Sequence, residues 1–205
     1  MIIALSGKAR HGKDSAANWI LENVPLSVRR GLADPIKEGA SKMTGIPLHY
    51  FYDADKKNQV LPNWGITPTE FCLSLGTDWA QFDIHSHIYQ YSGRNTIPTL
   101  GRNFWAKALV NWITGESYEE DQIVVPDIRF PHEIETLQTY FDRLIVIRIK
   151  RINPDGSPFV EQSTRMHHES ETALDNYPES KYDYVITSVD VAGIHAQLAT
   201  IFNKL

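Results

Sequence analysis

The chain is poor in cysteine, long apolar runs and net positive charge, and each shortage removes a class of protein. A lone cysteine, Cys72, cannot close an intramolecular disulfide, so stability must come from the core, which fits a reducing compartment, the cytoplasm. Cys72 falls in a helical apolar pattern and reads as buried filler rather than as a nucleophile. No stretch approaches the roughly 20 apolar residues of a membrane span. The opening run, Met1 to Leu5, is short, lacks a basic leader and leads into a loop, so no secretory signal is expected. A net charge of −5 gives no general attraction to nucleic acid or to anionic membranes, so any phosphate site must be a local cluster of arginine and lysine. No internal repeat or low-complexity tract is present. What remains is ordinary: 42% hydrophobic and 22% charged residues over 205 positions suit one domain with a useful core and a lid or small insertion.

The informative stretch is Gly7-Lys8-Ala9-Arg10-His11-Gly12-Lys13-Asp14-Ser15. It follows the apolar run Ile2 to Leu5, which reads as a buried parallel strand, and it precedes a helix from about Lys13 to Asn23 that Pro25 closes. Glycine, four residues, then Gly-Lys at a strand-to-helix turn is the phosphate-cradling loop pattern. The glycines let the backbone approach a phosphate closely, and the loop amides and the helix end attract it. Lys13 supplies a charge for the transferring group. The pattern usually ends in Ser or Thr, which binds Mg²⁺. Here Asp14 stands at that place and Ser15 follows, so either could serve the metal.

Further along, Val28 to Leu32 is a possible strand. Asp34-Pro35 opens a helix that Gly45 ends; Asp34 is either its N-cap or a ligand contact at the mouth of the sheet. Residues 46–66, with Tyr50, Tyr52, Asp53 to Lys57 and Trp64, are either a substrate-side insertion or an aromatic-pinned surface loop. Thr67-Pro68-Thr69-Glu70 is a capping box. The spacing predicts a buried stripe of Phe71, Leu75, Trp79 and Phe82, with Gly76-Thr77-Asp78 as an interruption where something approaches closely. Arg102 to Thr114 predicts another amphipathic helix, with Trp105, Ala108, Leu109, Trp112 and Ile113 on one face. Gln122 to Pro126 is a strand, and Asp127 just past it stands where phosphate-loop folds hold Mg²⁺ or its water. Arg129 is close enough to share a ligand, or else it pairs with Asp127. Pro131 opens a helix, in which Glu133 or Glu135 is solvated. Leu144 to Arg151 is a strand with a basic end. Residues 151–168 read as a mobile lid bearing Arg151 and Arg165, with an ordinary exposed loop as the alternative. A last strand, Asp183 to Thr187, and an amphipathic helix from Val191 complete an α/β sheet of about five strands with helices on both faces.

Taken together, the phosphate loop, Leu32-Ala33-Asp34-Pro35-Ile36-Lys37-Glu38, Leu75-Gly76-Thr77-Asp78, Val125-Pro126-Asp127-Ile128-Arg129-Phe130-Pro131-His132-Glu133 and the late His168-Glu169-Ser170-Glu171 resemble the deoxynucleoside monophosphate kinases of tailed bacteriophages. The resemblance spans nearly the whole chain except residues 46–66. It implies a P-loop nucleoside-monophosphate-kinase-like fold. It also implies transfer of the γ-phosphate of ATP to a deoxynucleoside 5′-monophosphate, with Mg²⁺, in a host-cell cytoplasm. On it, Gly7 to Ser15 hold ATP, and Asp14, Ser15 and Asp127 arrange the metal. Lys13, Asp127 and Arg129 carry the chemistry with Arg151 or Arg165 from the lid, and Asp34, Lys37, Trp64, Gly76, Asp78, Arg129 and Glu133 contact the acceptor. The chain departs from the pattern at Thr69, where relatives often carry arginine; Arg29, Arg30, Arg94 and Arg102 are the candidates to replace it. Dephospho-coenzyme A kinase and phosphomevalonate kinase resemble the same architecture and are the nearest rivals. A P-loop ATPase acting on DNA is opposed by the acidic composition, and no stable nucleic-acid or membrane partner is expected. A symmetric dimer is the default expectation for assembly.

Overall fold

The computed structural model describes residues 1–93, 101–115, 121–161 and 168–205, so Arg94 and Arg165 lie outside the described residues, as does the lid segment 162–167. The chain forms two compact units, Met1–Gly31 with Leu109–Leu205, and Leu32–Ala108.

The first unit is a parallel five-stranded sheet in the order β2-β3-β1-β4-β5. The strands are β1 (Ile2–Ser6), β2 (Ser27–Arg29), β3 (Gln122–Ile128), β4 (Leu144–Arg151) and β5 (Tyr184–Ser188). Near-continuous apolar runs are what a sheet covered on both faces requires. Ile3, Leu5, Val124, Ile147, Ile149 and Ile186 point to one side. There they meet Ala16, Ala17 and Ile20 of helix α1 (Lys13–Asn23) and Ile194, Leu198 and Ile201 of the C-terminal helix α9 (Val191–Phe202). The alternate residues Ile2, Ala4, Ile123, Val125 and Val146 are equally buried on the other face. The helix after β3, Pro131–Tyr140 (α7), packs on β4 through buried Ile134 and Leu137.

The order places a switch point between β1 and β3, because the chain leaves β1 toward β2 and leaves β3 toward β4. Ligands of open parallel sheets bind at the carboxyl ends beside such a point. The ladder is irregular there. Ala4 pairs with Val125 but Ser6 pairs with Ile128, so β3 carries one extra residue across Pro126-Asp127. Proline has no N–H to give the ladder, and a bulge of this kind turns a side chain out of register. The strand therefore runs two residues past Pro126, where the sequence reading ended it.

The second unit holds α2 (Asp34–Thr44), α3 (His49–Tyr52), α4 (Pro68–Leu73) and α5 (Ile84–Ser92), with a π-helical stretch, Ser74–Asp83, joining the last two. The Thr67–Glu70 capping box forms as expected, and Gly45 ends α2 at φ 72°. Three expectations change. The predicted stripe at 71, 75, 79 and 82 is displaced: Trp79 and Phe82 are 43% and 42% exposed, while Gly76, Thr77, Ala80 and Gln81 are buried. The cause is the i→i+5 bonding of the π stretch, which widens each turn and rotates later residues off a 3.6-residue stripe. Gly76-Thr77-Asp78 does not interrupt the helix but belongs to this stretch. A Cβ on Gly76 would come 2.6 Å from Ile36 Cδ1 of α2, so the close approach expected there is by another helix. Asp34 is not a cap: Ala33 occupies the cap position, and Asp34 Oδ1 accepts a hydrogen bond from Tyr52 Oη at 2.9 Å.

The helix Phe104–Gly115 (α6) spans the boundary between the units, with Ala106, Leu109, Val110 and Ile113 buried. Trp105 and Trp112 are only partly buried. In the second unit the Trp105 indole N–H donates to the Gly76 carbonyl at 2.6 Å; in the first, Trp112 lies under the Arg30 guanidinium at 4.9 Å.

Candidate functional site

The loop after β1 has the geometry its glycines predict. Gly12 sits at φ 95°, a left-handed angle at the cap position of α1 that an L side chain rarely adopts. Gly7 is required for space: a Cβ there would stand 2.7 Å from the Ile149 carbonyl oxygen on β4. Arg10 also has positive φ, 58°, an uncommon strain for a residue with a side chain, of the kind that clusters at ligand sites.

Lys13 is 8% exposed and folds over the loop, its Nζ donating to the carbonyls of Gly7 at 2.7 Å and Lys8 at 2.8 Å. Burial pushes its pKa from 10.5 down to about 7, assisted by the Arg129 guanidinium, while Glu171, Asp14 and Asp127 pull it back up. Those four charged side chains therefore lie within electrostatic reach of Lys13. His11 is buried as well. Desolvation lowers its pKa to about 4, so the ring is neutral, and its Nδ1 accepts the Arg151 backbone N–H at 3.2 Å.

Asp127 and Arg129 arrive from the end of β3. The Arg129 backbone N–H and that of Phe130 both donate to Glu133 Oε2, at 2.7 and 3.0 Å. Glu133 is 5% exposed, and burial pushes its carboxyl up to about 8 against the pull of those two donors and Arg129. It is therefore the buried anchor of the turn that carries Arg129, and not the solvated carboxylate of the pair. The ion pair seen for the Arg129 side chain is with Glu171. Its Nη1 donates to Glu171 Oε1 at 2.7 Å, and Glu171 Oε2 in turn accepts the Ala9 backbone N–H of the loop at 2.9 Å.

Arg151 ends β4, lies over the Phe159 ring at 4.2 Å and reaches the Arg10 carbonyl at 3.5 Å. Residues 153–157 close a tight turn through Asn153 N–H to the Ser157 carbonyl, with Gly156 at φ 83°. The loop's Arg10 pairs with Glu161 at 2.9 Å, and the edge of His11 meets Phe159. The described part of the expected lid is thus a compact turn docked on the phosphate loop.

Of the three metal candidates, Asp14 Oδ1 accepts from Arg29 Nη2 at 2.8 Å and its side chain is 80% exposed. Ser15 is half-buried in the first turn of α1, and Asp127 stands at the carboxyl end of β3, close enough to act on Lys13. No group of three or more His, Cys, Asp or Glu residues suited to a metal occurs among the described residues. A hydroxyl and one carboxylate still fit a Mg²⁺ that takes its other ligands from phosphate and water.

The expected acceptor residues Asp34, Lys37, Trp64, Gly76 and Asp78 belong to the second unit. There Lys37 Nζ lies 3.9 Å from Asp34 Oδ1 and 4.1 Å from the centre of the Tyr52 ring. Trp64 is 48% exposed with its ring edge toward Phe71, and Asp78 is exposed. Cys72 is half-buried, and burial raises its thiol to about 11, which makes it inert as a nucleophile. Two residues that the sequence reading placed in a motif and a strand without a role are Glu171 and Arg148. Arg148 is 8% exposed in the middle of β4 and donates to Ser6 Oγ at 2.8 Å. An arginine inside Leu-Ile-Val-Ile-Arg-Ile-Lys was the available signal, because a strand covered on both faces rarely carries a charge without a use for it.

No protein-family model and no curated protein matches the sequence. Among solved structures the chain is similar to a dephospho-CoA kinase from Campylobacter jejuni, at 12% identity and a TM-score of 0.44, over 99% of this chain and 96% of that one. A likeness this distant assigns neither activity nor substrate. Among the described residues no helix is long and apolar enough to cross a membrane.

Proposed function

We propose that the chain is an ATP-dependent phosphotransferase whose acceptor already bears a phosphate, a deoxynucleoside 5′-monophosphate being the acceptor the motifs favour. The observation that carries this reading is the buried Lys13. A lysine held at 8% exposure on two loop carbonyls, with its pKa depressed toward 7, is costly unless an anion is to receive it. The loop amides and Lys13 hold the phosphates of the donor. Arg129, beside Lys13 and fixed through Glu133, serves the acceptor phosphate, and Arg151 adds charge at the rim. Arg129, Arg148 and Arg151 stand in the same unit as the loop and its Lys13, and more than one arginine there suits a second phosphate.

The acceptor nucleophile is a phosphate oxygen that is largely ionised at neutral pH, so no strong base is needed. The protein's task is to bring two anions together and spread the charge of the transition state. Ser15 and Asp127 would hold Mg²⁺, which neutralises phosphate charge when bound; the Asp14 carboxylate is engaged by Arg29.

ADP release from ATP, measured across all eight ribo- and deoxynucleoside monophosphates with dephospho-coenzyme A and phosphomevalonate alongside, tests the reading. Turnover with at least one deoxynucleoside monophosphate is expected. Turnover with one of the other two acceptors alone would retain the kinase and replace its substrate. ATP hydrolysis stimulated by DNA, with no transfer to any acceptor, would overturn both.

A further inference from the structure

The segment His168-Glu169-Ser170-Glu171 has no part in the reading above, yet it reaches the centre of the loop. Glu171 lies in the short helix Glu169–Thr172 (α8), its side chain 12% exposed. One oxygen accepts the Ala9 amide at 2.9 Å, the other the Arg129 guanidinium at 2.7 Å, and the carboxylate also supports the charge on Lys13. A loop amide, an arginine and the loop lysine are the three groups that the proposed function assigns to phosphate. A carboxylate and one face of a phosphate make the same demand on such donors: charge-assisted bonds to two or more N–H groups.

We propose that Glu171 is an internal anion that fills a phosphate position in the ligand-free protein and is exchanged for a phosphate group of the incoming ligand. Two further observations give the exchange its direction. The recess that Glu171 enters is also lined by Gly7, Lys8, Arg129, Arg148 and Ser170. Arg148 is buried, donates to Ser6 Oγ and forms no ion pair among the described residues. Lys8 is met by Asp175 and Arg129 by Glu171, which leaves the charge of Arg148 unmatched, whereas a phosphate in place of Glu171 brings up to two negative charges and more acceptor oxygens. The holding of α8 is also light. The helix has four residues, its start is capped by His168 Nδ1 at 3.2 Å, and its following turn is tied to the loop by an exposed pair, Lys8 to Asp175 at 2.8 Å. Pairs of that kind contribute little; the apolar anchor on this side is Leu174, 6% exposed and two residues past the helix, so the movement required is of Glu169–Thr172 about Leu174 with the sheet left formed. Glu171 would then keep the loop and Arg129 formed until ligand arrives, at the cost of competing with it.

The inference rests on the phosphate-binding part of the proposed function and not on the acceptor, so its probe is inorganic tripolyphosphate. Calorimetric titration of the full chain is expected to show Glu171→Gln binding tripolyphosphate about tenfold more tightly than the unaltered protein, the scale of one lost charge-assisted competitor. Equal or weaker binding by the variant, or no binding by either protein, would overturn the exchange. A second measurement needs no variant. In the unaltered protein, amides 168–175 should exchange with deuterium faster when tripolyphosphate is bound; unchanged or slower exchange would mean that Glu171 is a permanent brace, and would overturn the proposal. ATP turnover is read separately: exchange without transfer to any acceptor leaves this inference standing and removes the kinase.

Discussion

Gly7 and Gly76 meet their neighbours at nearly the same distance, and they belong to two differently built regions. A Cβ on Gly7 would stand 2.7 Å from a backbone oxygen, that of Ile149; on Gly76 it would stand 2.6 Å from Ile36 Cδ1, the free end of a side chain. At Gly7 the loop sets backbone against backbone, whereas Gly12 faces the Ile194 side chain and is required by its φ of 95°. Three of the region's buried ionisable groups are held by main-chain atoms: Lys13 by two carbonyls, Glu133 by two amides, and Glu171 in part by the Ala9 amide. The helical unit 32–108 is made of side chains against side chains, with a π stretch and large residues such as Trp79 and Phe82 left partly exposed. Backbone contacts cannot relax and side-chain contacts can. Geometry should therefore be rigid where phosphate is expected and adaptable elsewhere.

The largest effect that would break this contrast is catalytic. Lys13→Ala and Arg129→Ala are each expected to lower turnover by at least ~10²-fold, the loss typical of one group that stabilises transition-state charge; steady-state ADP release measures it. Near-normal turnover in either would mean that the rigid region is not the reaction centre. Gly7→Ala comes next. With no flexible neighbour to give way, it should destabilise by about 1–3 kcal/mol in chemical denaturation, the range for overpacking. Gly76→Ala sharpens the comparison. Ile36 can rotate, and alanine gains up to ~1 kcal/mol of helix propensity, so the net change should stay within about 1 kcal/mol of zero. Equal losses in the two variants would erase the distinction.

The buried charges also predict how stability depends on pH. Glu133 binds its proton more tightly in the fold than unfolded, its pKa moving from 4.5 to about 8, so its contribution falls as pH rises between those values and is flat above. Lys13 behaves oppositely. Its pKa moves from 10.5 to about 7, so between pH 7 and 10.5 the unfolded chain holds the extra proton and stability rises with pH. Together they place a minimum near pH 7–8. Glu133→Gln should remove the acid-side slope and Lys13→Met the alkaline one, as read from denaturation midpoints across pH. The smallest expected effect is in the second unit. Asp34→Ala leaves the Tyr52 hydroxyl without its acceptor and should cost ~1 kcal/mol.

The same contrast explains what was legible in the sequence. Backbone-driven features write themselves as residue types: Gly7, Gly12 and Lys13 gave the loop, continuous apolar runs gave the parallel strands, and Thr67-Pro68-Thr69-Glu70 gave its cap. Features set by tertiary packing left no such mark. The π stretch shifted the helical stripe because nothing in Ser74–Asp83 announces i→i+5 bonding. Asp34 stayed open between a cap and a ligand contact because Asp-Pro at a helix start fits both, whereas its partner Tyr52 stands 18 residues away. Within the candidate site, Asp127 and Arg129 were visible from their place after an apolar strand. Glu171 reaches Arg129 across 42 residues, and only folding joins them.

The account turns on Lys13 being the group that receives phosphate. Calorimetric titration of ATP with Mg²⁺ at pH 8, in two buffers of different ionisation enthalpy, tests this directly. A lysine with a pKa near 7 is mostly neutral there, and a bound phosphate should recharge it, so the account predicts binding with uptake of close to one proton, lost in Lys13→Met. ATP binding without proton uptake, or with the same uptake in Lys13→Met, would contradict it.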